Sequence, residues 1–360
     1  MLKNIWSNSF LKIPNFIKRF TPNLFIMKKR NTLQGKLIRN LFLILLFAST
    51  GCAAQPRLLA LSKLDHTLAI IDPATNSVLA RVPVGNDPHE VIAAADGKTA
   101  YVSIYGGGSF HELDIIDLIS MKPLKTIDTR PLFGPHGLAF ADGKVWFTAE
   151  GSKAVGCYNT SSGKVEWSMG TGQDRTHMIY VDKNADNIYA TNVSSGTVSI
   201  LEKTTSGQRE NWEQTVIPLS RGVEGFDVSP TNHELWTVAS DNGKIYILNP
   251  GTKKINETID AKIGGANRLQ FTPDGKRVLI TSLRAGSVFI YDAKTRKEIA
   301  QVKVGTGAAG IMMPPDGSKA YIACSPDNYI AVVDLKTLKV LDHIDVGKNP
   351  DGLAWANVNR

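Results

Sequence analysis

Three stretches of this chain place a histidine at the head of an apolar run: "DPHEVIAAADGK" with His89, "FGPHGLAFADGK" with His136 and "RTHMIYVDKNAD" with His177. In the same register, "GVEGFDV", "GANRLQF", "GAAGIMM" and "NPDGLAW" supply Glu224, Asn267, Ala309 and Asp351. Neutral imidazole is the commonest metal ligand among side chains. Three histidines with an open position make a catalytic zinc arrangement, and histidine with carboxylate suits zinc, iron or manganese. A divalent cation held by His89, His136, His177 and Glu224 would activate water or polarise a carbonyl, with Glu224 as fourth ligand or general base. The competing reading is plainer: the imidazoles line a polar, water-filled channel and hydrogen-bond to one another and to the acids. Glu90, Tyr105, Arg175, Arg221 and Arg268 flank the same face by register. With Asn267 and Asp351 they form the candidate ligand-binding set, in which Arg221 and Arg268 could clamp a carboxylate or phosphate bidentately.

These positions recur at spacings of 41 to 47 residues. A period in the low forties with four short strands per repeat predicts a propeller blade. The repeat that holds Asn267 shows the strands well: "NRLQFTP", "RVLITSL", "SVFIYDA" and "KEIAQVKV", separated by "PDGK", "RAG" and "AKTRK". The inner three are nearly continuous apolar runs, as expected of sheets covered on both faces. The fourth interleaves charge, which protects an outer edge from pairing with another chain and points to a monomer. Six blades run from His89 to Val346. The seventh takes its innermost strand from the C-terminus (Asp351 to Asn357) and the other three from "LLALSK", "TLAIID" and "SVLARVPV" near the N-terminus. The expectation is an all-β, seven-bladed propeller over residues 57–360, closed by joining the two ends in one sheet. Strand A of each blade is innermost, so the histidine register becomes a ring at one end of the central channel.

Other apparent motifs fail on their context. "GTGAAG" matches G-x-G-x-x-G, but "IMMPPDG" follows, and its prolines forbid the helix that would hold a pyrophosphate. "HEVIA" and "HELDI" lack the second histidine of a zinc-protease helix. "DKNADN" lacks the glycine and glutamate of a calcium loop. There is no G-x-S-x-G.

The chain has 41 Lys and Arg and a formal charge of +8. Nine of those bases fall within residues 1–51, where there is no acid; the rest has 32 basic against 33 acidic residues, a net charge of −1. A near-neutral body lacks the footprint of nucleic-acid binding. Residues 1–51 read as a leader. "MKKRNTLQGKLIRN" is a basic n-region, "LFLILLFAST" an apolar core too short to span a bilayer, and Met27 a candidate start. Gly51-Cys52 resembles the lipobox of bacterial lipoproteins, although Ser49 departs from the usual leucine. Lipidation of Cys52, with residues 52–56 as a tether, would make the protein an exported, membrane-anchored lipoprotein, periplasmic or on the cell surface. Ala53 and Ala54 favour the outer membrane.

The repeat from Pro315 to Trp355, "PDGSKAYIACSPDNYIAVVDLKTLKVLDHIDVGKNPDGLAW", resembles the YVTN family of bacterial, surface-layer-type β-propellers. "YATN" at Tyr189 to Asn192 is nearest to the name-giving tetrapeptide. The resemblance covers residues 57–360 and implies the propeller fold. It leaves two functions open. One is a binding protein whose channel face takes a small molecule, glycan or protein. The other is a metal-dependent hydrolase or lyase, lactonase-like or streptogramin-lyase-like, working at the His/Glu arc. Cys157 and Cys324 fall in the second and sixth blades. They are too far apart to pair, so both are expected reduced and buried.

Overall fold

A computed structural model describes residues 54–206 and 209–359. The leader, its candidate start and Cys52 lie outside the described residues. The 28 strands form seven four-stranded sheets of antiparallel neighbours. Blade 1 comprises β4 (Pro88–Ala93), β5 (Thr99–Ile104), β6 (Glu112–Asp117) and β7 (Lys122–Asp128). Blade 2 comprises β8 (Pro135–Ala141), β9 (Lys144–Ala149), β10 (Ala154–Asn159) and β11 (Lys164–Gly170). The innermost strands of blades 3 to 6 are β12 (Thr176–Val181), β16 (Val223–Val228), β20 (Ala266–Phe271) and β24 (Ala308–Met312). Blade 7 pairs the C-terminal strand β28 (Pro350–Val358) with β1 (Gln55–Ser62), in a register running from Gln55 opposite Val358 to Ser62 opposite Pro350. The expected closure of the ring is therefore present.

The core is distributed, with a hydrophobic cluster at each of the seven junctions between blades. Between blades 7 and 1, Leu59, Leu61, Leu68 and Ile70 pack on Val91, Val102 and Ile116. Burying each such side chain contributes about 1.5–3 kcal/mol, which explains the continuous apolar runs of the inner strands. The outer strands are mostly exposed, as in Glu298–Lys303 of blade 5. Cys157 and Cys324 are free and buried in different clusters, and burial pushes both thiols up to about 12. Blade 3 departs from the rest. Its outer hairpin, Thr197–Ser206 with Arg209–Pro218, pairs without a break in register, whereas the other six blades interrupt that pairing.

One irregularity positions the site. In each blade the register between the innermost strand and its neighbour shifts near the strand's start; in blade 2 the shift lies between Pro135 and Leu138, and in blade 3 between Thr176 and Ile179. A β-bulge re-aims side chains. The histidine position lies inside this bulge, so its side chain turns into the channel. The backbone freed there finds hydroxyl partners on the second strand. Thr148 Oγ1 accepts from Gly137 N at 2.9 Å and donates to His177 O of the next blade at 2.6 Å. Thr281 repeats this with Arg268 N and Ala309 O.

Candidate functional site: a charged well at the channel mouth

The bulges bring the predicted ring together. His89, His136, His177, Glu224, Asn267, Ala309 and Asp351 all line one cavity of about 220 Å³. Arg175, Arg268 and Lys63 line it as well. Lys63, Tyr105 and Glu150 occupy one structural position, the residue directly after the second strand of blades 7, 1 and 2.

The imidazoles meet one another in two ways. His89 Nε2 donates to Asp87 Oδ1 at 3.0 Å, and His89 Nδ1 shares a hydrogen bond with His136 Nε2 at 3.0 Å. His136 then stacks on His177, with ring centroids 3.7 Å apart and planes inclined by 30°. His177 donates from Nδ1 to Glu150 Oε2 at 2.8 Å and from Nε2 to Glu224 Oε1 at 3.3 Å. His136 Nδ1 is buried and has no partner. Rings stacked face to face do not aim their nitrogens at one point. Among the described residues, no group of three or more His, Cys, Asp or Glu is arranged to hold a metal ion. In this arrangement the imidazole nitrogens of His89 and His177 and the carboxylate of Glu224 are engaged in hydrogen bonds, and His136 in a hydrogen bond and a stack.

The electrostatics divide the two stacked rings. Burial is the largest influence on His136, and with the positive charge of His177 it pushes that imidazole well below its usual range. Burial also opposes the charge on His177, but Glu150 and Glu224 on its two nitrogens outweigh it and raise the value. A neutral ring thus lies against an imidazolium. Glu224 is likewise opposed by burial, yet His177 and Arg268 hold it down at about 2. Its Oε1 accepts from Asn267 Nδ2 at 2.7 Å and Arg268 Nη1 at 2.9 Å. A carboxylate so satisfied is a poor proton acceptor, which argues against the general-base role expected for Glu224.

The remaining candidates divide. Arg268 reaches from blade 5 to Glu90 of blade 1 with its other terminal nitrogen, so a buried cation bridges two carboxylates across the channel. It is structural rather than a free clamp. Tyr105 donates to Glu150 Oε1 at 2.7 Å. Burial, then Glu150, pushes this phenol up, away from ionisation. Asp351 pairs with Lys63 at 3.3 Å. Arg175 pairs through Nε with Glu150 at 3.3 Å while its side chain stays 42% exposed. Arg221 is exposed in the turn before β16 and does not line the well. Sequence reasoning missed Asp87, Glu150 and Lys63. Glu150 and Lys63 occupy the register of Tyr105, so that register, extended from blade 1 to blades 2 and 7, would have found them.

Fold and site together define a seven-bladed propeller with a polar, charge-lined well at one end of its channel. The chain belongs to the YNCE-like beta-propeller family, whose model matches residues 44–358. No curated protein matches it significantly in sequence. Among solved structures it is similar to hydrazine synthase of Kuenenia stuttgartiensis (17% identity, 76% of this chain and 90% of that one, TM-score 0.65). It is also similar to two proteins named "putative 6-phosphogluconolactonase". That of Bacteroides uniformis ATCC 8492 is 15% identical over 84% of this chain and 99% of that one, TM-score 0.70. That of Bacteroides fragilis NCTC 9343 is 14% identical over 86% and 99%, TM-score 0.69. Identities this low establish the fold alone.

Proposed function

We propose that the protein is an exported binding protein for a small organic acid, taken into the well at the channel mouth. The observation that carries this reading is the cavity's unspent cationic chemistry. Arg175 uses only Nε within the described residues, which leaves the terminal nitrogens of an exposed guanidinium for a carboxylate. Lys63, paired with Asp351, lines the same space. At ~30 Å³ per water, the well holds about seven waters or a ligand with a similar number of heavy atoms. A panel of small carboxylates should therefore bind the intact protein by calorimetry, and Arg175→Ala should weaken binding by roughly tenfold. Unchanged affinity in that variant would reject the well as the anion site.

A second reading is favoured by the stacked pair. A neutral imidazole with a free nitrogen beside an imidazolium is an acid–base pair, suited to opening a lactone or ester. The two similar structures named for 6-phosphogluconolactonase lend it a substrate class. Release of acid from lactones in the same assay separates an enzyme from a binder. For the envelope location, lipid on Cys52 predicts a diacylated or triacylated N-terminal cysteine by mass spectrometry of membrane extracts. A soluble mature chain beginning after Ala54 would remove the anchor from this reading.

A further inference from the structure

Hydrogen-bond polarity runs through the well in a fixed direction. An ionised carboxylate only accepts, and Asp87 is held down at about 2, chiefly by its bond from His89. His89 Nε2 must therefore carry a proton. If His89 holds that single proton, on Nε2, its Nδ1 is bare and His136 Nε2 is the donor in the bond that joins them. Neutral His136 then keeps its lone pair on Nδ1. That atom is the one left buried without a partner, on a residue only 1% exposed that lines the cavity. A buried acceptor with no donor carries a desolvation penalty that a ligand's donor would relieve.

We propose that Asp87, acting through His89, fixes His136 Nδ1 as a bare acceptor, and that the bound molecule is a hydroxy acid whose hydroxyl donates to it. The carboxylate half of this ligand rests on the organic-acid reading above; the hydroxyl half rests on the relay alone. Asp87 and His89 are positioning residues, since they act on the ligand only through His136. The relay makes an unusual demand of the variant Asp87→Asn. Gly107 N donates to the second carboxylate oxygen at 3.2 Å, so that contact claims the amide oxygen of the asparagine. Its NH2 then faces His89 Nε2, and every bond in the chain reverses. His89 would donate from Nδ1, His136 Nε2 would accept, and His136 Nδ1 would hold the proton. The backbone at Asp87 has φ 54°, a conformation that asparagine tolerates.

Long-range ¹⁵N–¹H spectra of the unliganded intact protein test the relay without any ligand, with His136 assigned through His136→Ala. The expected result is a bare Nδ1 on His136 in the wild type and a protonated Nδ1 in Asp87→Asn. A protonated Nδ1 in the wild type, or the same tautomer in both proteins, overturns the relay. Glycolate and methoxyacetate then test the ligand class, because only glycolate carries a donor. Glycolate should bind the wild type ~10-fold tighter, and the preference should vanish in Asp87→Asn, where a protonated Nδ1 donates to a hydroxyl or an ether oxygen alike. Equal binding of the two by the wild type, or binding of neither, overturns the hydroxy acid. Equal binding that is still lost in Arg175→Ala would leave the organic-acid reading standing while the hydroxyl inference fails.

Discussion

Blades 2 and 6 have nearly the same backbone and opposite chemistry. In each, the two inner strands shift register at the same place, between Pro135 and Leu138 and between Ala308 and Ile311. In each, the second strand runs into a one-turn 3₁₀ segment, Glu150–Ser152 or Ser325–Asp327. Its preceding residue has φ, ψ of −117°, 87° (Ala149) or −103°, 86° (Cys324), and it ends on a left-handed Lys153 or Asn328. Yet blade 2 presents His136 and Glu150 to the mouth, where blade 6 presents Ala309 and Ser325. The difference lies at two positions per blade: the bulge residue of the innermost strand and the residue after the second strand. The repeat supplies the mounting, and the chemistry is what is placed on it.

The strongest way to break that comparison is at the glycine both blades carry beside the bulge. A Cβ on Gly137 would stand 2.4 Å from His177 O, and one on Gly310 would stand 1.9 Å from Asp351 O. Both obstacles are backbone of the next blade, which cannot swing aside as a side chain can. Gly137→Ala and Gly310→Ala should each destabilise by about 3 kcal/mol, the upper part of the usual range for overpacking, with Gly310→Ala the worse. Urea unfolding measures both. Tolerance of one and not the other would show that the two blades do not share their mounting.

The sequence made the mounting legible and much of the chemistry illegible, for physical reasons. Blade number, strand order and ring closure follow from a period near forty-two and from apolar runs that repeat seven times. The ring of His89, His136, His177 and Glu224 followed from register. Two readings of what the imidazoles do there stayed open, because register fixes where a side chain starts and not which way its ring turns. Stacking at 3.7 Å and a shared hydrogen bond at 3.0 Å are rotamer facts. By register Arg268 could have clamped a ligand, but its partners Glu90 and Glu224 come from blades 1 and 4, and no local pattern reveals a contact across the bore. Glu150 was missed because it opens a short 3₁₀ turn rather than sitting in a strand.

The subtler difference between the two blades is electrostatic. Glu150 and Ser325 hold equivalent positions, but Glu150 bonds a buried imidazolium whereas Ser325 donates to Pro350 O at 2.6 Å. Glu150→Gln should cost about 1–3 kcal/mol, and Ser325→Ala about 1 kcal/mol. The pH dependence separates them more cleanly than the size. Burial works against the charge on Glu150, but His177 foremost, with Tyr105 and Arg175, holds its carboxyl below the usual 4.5. Its contribution is therefore complete above 4.5 and lost as pH falls through the lower folded value. His177 is raised above 6.5, so its contribution is complete below 6.5 and lost as pH rises through the higher folded value. The pair is at full strength between those two limits. The stability gap between wild type and Glu150→Gln, measured by urea unfolding, should be widest from about pH 4.5 to 6.5 and narrow on both sides. The gap for Ser325→Ala should not change with pH. A flat profile for Glu150→Gln would mean that His177 is not the charged partner, and blade 2 would then differ from blade 6 in shape but not in charge.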